Sequence, residues 1–162
     1  MDTNGPIRKW SQLRNIKVRI PSAGITVGIV EDFYFKPEST GVDGLLVKTR
    51  LGETFLLPIS KIHHFEGDAV TIDSEQMLGR RLSPYPLGSS LIGNVVQDEK
   101  GKDIGTISDI LVSVEPAITM RVTSFELKGN GREQGKTFSA DAIIRYKNQQ
   151  FTLQDQFARK LK

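Results

Sequence analysis

The chain contains no cysteine and only two histidines in 162 residues. The first absence excludes disulfides, thiol catalysis and cysteine-ligated metal. Long apolar runs are also missing. Phe55-Leu56-Leu57-Pro58-Ile59 is among the longest, whereas a membrane helix needs roughly 20 apolar residues, so no transmembrane segment is expected. Met1-Asp2-Thr3-Asn4-Gly5-Pro6 lacks the basic start and apolar stretch of a signal peptide, and the expectation is a cytoplasmic protein. No Gly-x-Ser-x-Gly is present. Gly101-Lys102 and Gly135-Lys136 lack the spacing of a phosphate-binding loop. Gly129-Asn130-Gly131 reads as a loop tip, since no helix follows it. Apolar periods of helical type are scarce. Ile59 to Phe65 reads as one helical turn and Gln154 to Leu161 as a short terminal helix.

Enough apolar sequence remains for a core, at 38% hydrophobic and 25% charged residues. The net charge is +3 and sits at the ends. Arg8, Lys9, Arg14, Lys17 and Arg19 lie in the first twenty residues, and Arg145, Lys147, Arg159, Lys160 and Lys162 in the last twenty-one, against one aspartate each. Neither end holds five consecutive like charges, the mark of a nucleic-acid arm, so solvated basic ends are the plain reading.

Short strands dominate. Ile16-Lys17-Val18-Arg19-Ile20 alternates apolar with basic residues, the period of a strand with one buried face. Val27 to Phe35, Leu45-Leu46-Val47, Phe55-Leu56-Leu57 and Ala69-Val70-Thr71-Ile72 follow, separated by turns rich in Gly, Pro, Ser and Asp. This spacing predicts an all-β protein of barrels or sandwiches. Residues 74–90, with Pro84 and Pro86 flanking Tyr85, read as a stiff linker.

Beyond the linker the pattern restarts. Gly24 to Phe35 lies over Gly101 to Val112, both reading Gly-x-x-(Ile/Val)-Gly-x-(Ile/Val)-x-Asp followed by three apolar residues. On this alignment Val18 lies over Val95. Thr54-Phe55 lies over Thr137-Phe138 after six extra residues. Ile62 falls near Ile144, and Val70-Thr71-Ile72 over Phe151-Thr152-Leu153. Two copies of one β unit are implied: residues 1–73, a linker 74–90, residues 91–154 and a basic tail 155–162. Gly24 and Gly101 are expected at turns needing positive φ, and Gly28 and Gly105 at bulges or bends inside strands. Asp32 and Asp109 recur once per unit, so their expected role is to hold backbone at a strand irregularity.

The repeated motif, the later Thr-Phe pairs and the closing Phe-Thr-Leu strand resemble the PRC-barrel family. That barrel occurs in the cytoplasmic part of the photosynthetic reaction-centre H subunit and in the C-terminal domain of the ribosome-maturation factor RimM. The resemblance covers about residues 10–73 and 90–154. It implies two small β-barrels in tandem. Units of about 60–70 residues have thin cores, so the two are expected to pack together with Phe33, Phe35, Ile110 and Val112 buried in or between them. The resemblance also implies a non-catalytic module that docks on larger assemblies, and no catalytic residues are carried over.

The remaining chemistry is sparse. His63 and His64 are adjacent and so diverge on a strand or a helix, and no metal site, cofactor or catalytic residue is expected. Two groups are candidates for contact with a partner. Arg80 and Arg81 with Tyr85 can hold a phosphate or stack on a base. Trp10 with Arg8 and Lys9 can anchor at an interface, or Trp10 can fill the first barrel. The leading expectation is a non-enzymatic adaptor that docks a protein complex through strand edges, linker and basic ends. Ribosome or RNA association and a peripheral place at a photosynthetic membrane are the alternatives.

Overall fold

A computed structural model describes residues 6–129 and 136–161. The expected tip at Gly129-Asn130-Gly131 lies largely outside them, as do Lys162 and the first five residues. The protein is all-β with little helix. Its strands are β1 (Ile7–Lys9), β2 (Lys17–Ile20), β3 (Ile25–Phe35), β4 (Val42–Thr49), β5 (Thr54–Pro58), β6 (His64–Glu66) and β7 (Ala69–Thr71) in the first half. The second half holds β8 (Val95–Gln97), β9 (Asp103–Ser113), β10 (Arg121–Gly129), β11 (Lys136–Ser139), β12 (Ile143–Lys147) and β13 (Gln150–Leu153). The α-helices are α1 (Trp10–Leu13) and α2 (Asp155–Leu161). Ile59–Lys61 forms one 3-10 turn, the expected helical turn in shortened form.

Two sheets result, in the orders β5-β4-β3-β2-β7-β6 and β11-β10-β9-β8-β13-β12. They are one topology written twice. In each, the first strand pairs parallel to the last, Val18 with Val70 and Val96 with Phe151. The bulges recur as well. Val27 and Ile104 are skipped in pairing with β2 and β8. Glu31 and Ser108, and likewise Asp43 and Thr123, are skipped between the long strands and their partners. A bulge bends the strand and sharpens its twist, which curls each sheet.

The registers correct the alignment read from sequence. Gly28 faces Val18 and Gly105 faces Val96, so Val18 corresponds to Val96 and not to Val95. Both Val18 and Val96 are buried, while Val95 is half-exposed, because a one-residue slip moves a side chain to the other face. Leu45 faces Leu57 and Phe125 faces Phe138, so Leu56-Leu57, not Thr54-Phe55, correspond to Thr137-Phe138. A two-residue error leaves the alternation intact, so the pattern alone does not expose it.

The two halves exchange segments. β1 leaves the first half and pairs with β9 of the second, Lys9 opposite Leu111. Reciprocally, the end of the expected linker returns to the first sheet, where Leu87 bridges Tyr34, the residue that corresponds to Leu111. Along one edge, each eleven-residue strand, β3 or β9, therefore pairs with β2 or β8 over its first part and with the exchanged segment over its last part, while the other edge stays with β4 or β10. Gly41 bridges Arg121, with Val42 N–H donating to Met120 and Val122 N–H donating to Thr40. Equivalent residues pairing with each other is the signature of an isologous interface, here inside one chain.

One hydrophobic cluster runs through both halves. Phe33, Phe35, Ile110 and Val112 are all buried in it, as expected. Phe35 meets Phe125 and Tyr146 edge-on, with centroids 6.2 and 6.5 Å away, and so ties the first sheet to the aromatic centre of the second. The expected basic tail is the helix α2, with Ala158 and Leu161 buried.

Candidate functional site

The two recurring aspartates lock the exchanged segments. Asp32 accepts hydrogen bonds from the Phe33 N–H at 2.9 Å, from the Ser89 N–H at 3.0 Å and from the Ser89 hydroxyl. Asp109 accepts from the Ile110 N–H at 2.8 Å, the Ser11 N–H at 3.3 Å and the Ser11 hydroxyl at 2.6 Å. Each follows a bulged residue, where the ladder is broken and a free backbone N–H needs an acceptor. Both serines come from the segment that precedes the other unit's first strand. Gly28 and Gly105 face equal constraints, since a Cβ on either would lie 2.5 Å from the carbonyl oxygen of Lys48 or Lys128. Gly24 and Gly101 adopt φ of 64° and 85°, as their turns require.

The N-terminal candidates are occupied by this exchange. Trp10 is 3% exposed and meets Phe33 edge-on at 4.8 Å. It lines a small apolar cavity with Val30 and Leu45 of the first half and Val112 and Met120 of the second. It therefore sits between the halves rather than inside one unit. Arg8 is 6% exposed, donates to the Gly67 carbonyl and lies over the Phe65 ring. Lys9 forms an ion pair with Glu126 at 2.6 Å, which raises the lysine pKa through a hydrogen bond and then through charge. These residues staple the halves and offer little to a partner. In the linker, Arg80 and Arg81 are exposed. Tyr85 lies beside Lys36 and Glu38, and the Glu38 charge and then its hydrogen bond to the phenol raise the tyrosine pKa.

The halves differ most in one loop. Six residues, 36–41, join Phe35 to Val42, while nine, 113–121, join the corresponding Val112 to Val122. The extra length forms a 3-10 turn, Ala117–Thr119, which packs against Ile59–Lys61 of the first half. The shorter loop leaves the equivalent place on the second half open as a cleft of about 510 Å³. Glu38, Arg121, Asp141, Ile144, Arg145 and Tyr146 line it, so both halves contribute. Arg121 spans the seam, donating to the Thr40 hydroxyl at 3.2 Å and lying 3.5 Å from Asp141.

Beside the cleft runs an open sheet edge. At one end of each sheet the edge strand is covered: Leu56 of β5 exchanges two backbone hydrogen bonds with Gly79, and α2 packs on β11. At the other end, β6 and β12 each pair with one neighbour among the described residues. β6 is three residues long, and its His64 Nε2 lies 2.7 Å from the Glu66 carboxylate. β12 is five residues long. At the positions matching His64 and Glu66 it carries Arg145 and Lys147, both exposed and in no ion pair among the described residues. A register shift leaves Ile144 unpaired and 48% exposed at the mouth of the cleft. A second cleft of about 330 Å³, on which Arg145 and Lys147 are the only charges, flanks the same strand.

Sequence reasoning placed Arg145 and Lys147 only among the terminal charges and missed Arg121 and Ile144. The three-residue difference in loop length was the available signal, and it needs the correct register to be seen. His63 and His64 stack at 5.2 Å, and no group of three or more metal-ligating side chains occurs among the described residues. No helix of the described residues is long and apolar enough to cross a membrane. No family model matches the chain, and no curated protein matches it.

Proposed function

We propose that this protein is a non-enzymatic docking module with the tandem architecture of PRC-barrel proteins, and that it binds a protein partner at the seam between its halves. One observation carries the reading: the second half keeps an open cleft and two exposed basic residues on its edge strand, where the seam of the first half is filled and the matching edge residues, His64 and Glu66, contact each other. A symmetric scaffold gains nothing in stability from such an opening, and exposed edges are normally covered or neutralised. The reciprocal Ser–Asp contacts are built with backbone N–H groups that donate to the same carboxylates, which fits a scaffold better than a nucleophile with its base. The burial of Trp10 removes the aromatic anchor on which a membrane-surface role would draw.

Photo-crosslinking in the native cell tests this. A photoreactive residue at position 144 is expected to capture a defined protein, and the same residue at the exposed Leu51, on the far loop, is not. Equal capture from both positions, or none from either, removes the reading.

A further inference from the structure

We infer that β12 is the docking strand and that it takes an extended acidic segment of a partner protein, added to the second sheet as a further strand. The inference rests on the docking role proposed above and names the chemistry of the partner. Backbone groups on the open side of an edge strand supply hydrogen bonds to any extended peptide, and the side chains beside them select its sequence. Arg145 and Lys147 stand two residues apart, hence about 7 Å along the same face. A strand laid against them meets both charges with acidic residues at alternate positions. The carboxylates nearest the strand do not cancel these charges. Asp141 is engaged by Arg121, and Glu38, the other carboxylate lining the cleft, faces Tyr85 and forms no ion pair with Arg145 or Lys147 among the described residues.

Ile144 sets the other half of the preference. It is the unpaired residue at the register shift and lies in the seam cleft beside Pro37. An apolar side chain of the added strand has its place there, at the end away from Lys147. The expected ligand therefore alternates acidic and apolar residues. The matching edge on β6 lacks both features, because His64 and Glu66 pair with each other and the longer loop occupies the space beside it.

Fluorescence anisotropy with the full chain tests the inference at physiological salt. The probes are a short labelled peptide of alternating valine and glutamate, the same peptide N-methylated at every second amide, and a single-stranded RNA of similar charge. The valine–glutamate peptide is expected to bind. Binding is expected to weaken about tenfold in Arg145→Glu/Lys147→Glu, and as much on N-methylation, with no change in Arg80→Glu/Arg81→Glu. Equal binding of the N-methylated peptide overturns strand addition. Binding of the RNA alone makes the edge a nucleic-acid surface and overturns the inference. Binding of no probe overturns it too, while capture from position 144 in the cell still reports separately on the docking role. The substituted side chains are exposed, so unchanged thermal melting serves as the folding control.

Discussion

The two halves share strand order, registers and three bulges, yet they differ where one of them is left open. The first half has its seam filled by the Ala117–Thr119 turn, and on its edge His64 and Glu66 contact each other. The second half has a shorter facing loop, an open cleft and two basic residues on its edge that form no ion pair among the described residues. What the halves share maintains the fold, since it concerns bulges, glycines under a crossing carbonyl and aspartates that hold the exchanged segments. What they do not share is free to serve something else. In a duplicated chain the internal difference therefore separates structural residues from candidate functional ones without any relative to compare.

The exchanged segments give the comparison its sharpest form. Trp10 and Gly88 occupy equivalent places, one residue before Ser11 and Ser89. Trp10 fills the space beside Phe33, whereas a Cβ on Gly88 would lie 2.0 Å from the Phe33 ring. The largest residue on one side is thus matched by the smallest on the other. Trp10→Ala is expected to cost about 3–5 kcal/mol, since it removes a large buried ring between the halves. Gly88→Ala is expected to cost about 1–3 kcal/mol by overpacking. Denaturant unfolding measures both. Equal costs would show that the two places are not shaped as complements. Trp10→Phe is expected to cost less than its loss of ring size alone gives, because it also removes the Trp10 Nε1–H, which is buried without a partner among the described residues.

The aspartates come next. Asp32 is buried at 5% exposure, and Asp109 is half-exposed. Asp32→Ala leaves the buried Phe33 N–H and the part-buried Ser89 N–H without their acceptor and is expected to cost about 2–3 kcal/mol. Water can replace the carboxylate at Asp109, where Asp109→Ala is expected to cost about 1 kcal/mol. Thermal or urea unfolding of the two variants checks the order. A reversed order would mean that the second exchange, not the first, holds the halves together.

Much of this fold was legible in the chain, and the reasons for the failures are physical. The Gly-x-x-(Ile/Val)-Gly-x-(Ile/Val)-x-Asp segments marked the long strands and their bulges, because glycine under a crossing strand and aspartate after a bulge are local requirements. Val95 and Val96 are chemically identical neighbours, so only burial tells which one corresponds to Val18. The exchange was hidden for another reason. Ser11-Gln12-Leu13 and Ser89-Ser90-Leu91 do repeat, with both leucines buried. Which sheet a short segment joins, however, is decided by tertiary packing and leaves no local trace. The same limit applies to the candidate site. Arg145 reads as one more charge near the end of the chain until the sheet order makes it an edge residue.

The smallest expected difference concerns Lys9 and Glu126, whose equivalents in the first half are Leu87 and Leu46. The same pair of places is ionic in one half and apolar in the other. The ion pair is short, but the Lys9 side chain is 45% exposed, so solvent screening limits its worth to about 1 kcal/mol or less. Replacing both residues by leucine, as the first half has them, is expected to change stability by no more than that. The residual effect carries a definite sign. Glu126 raises the Lys9 pKa above its ordinary value. The stabilisation is then complete below the ordinary lysine pKa and disappears as pH rises through the raised one. Melting temperatures of the wild type and Lys9→Leu/Glu126→Leu should differ most in favour of the wild type near about pH 8, and the difference should shrink by about pH 11. A gap that stays constant across that range would show that the pair contributes only through packing. In that case the ionic and apolar versions of this contact are interchangeable parts of the duplicated scaffold, and the functional difference between the halves rests wholly on the loop and the edge.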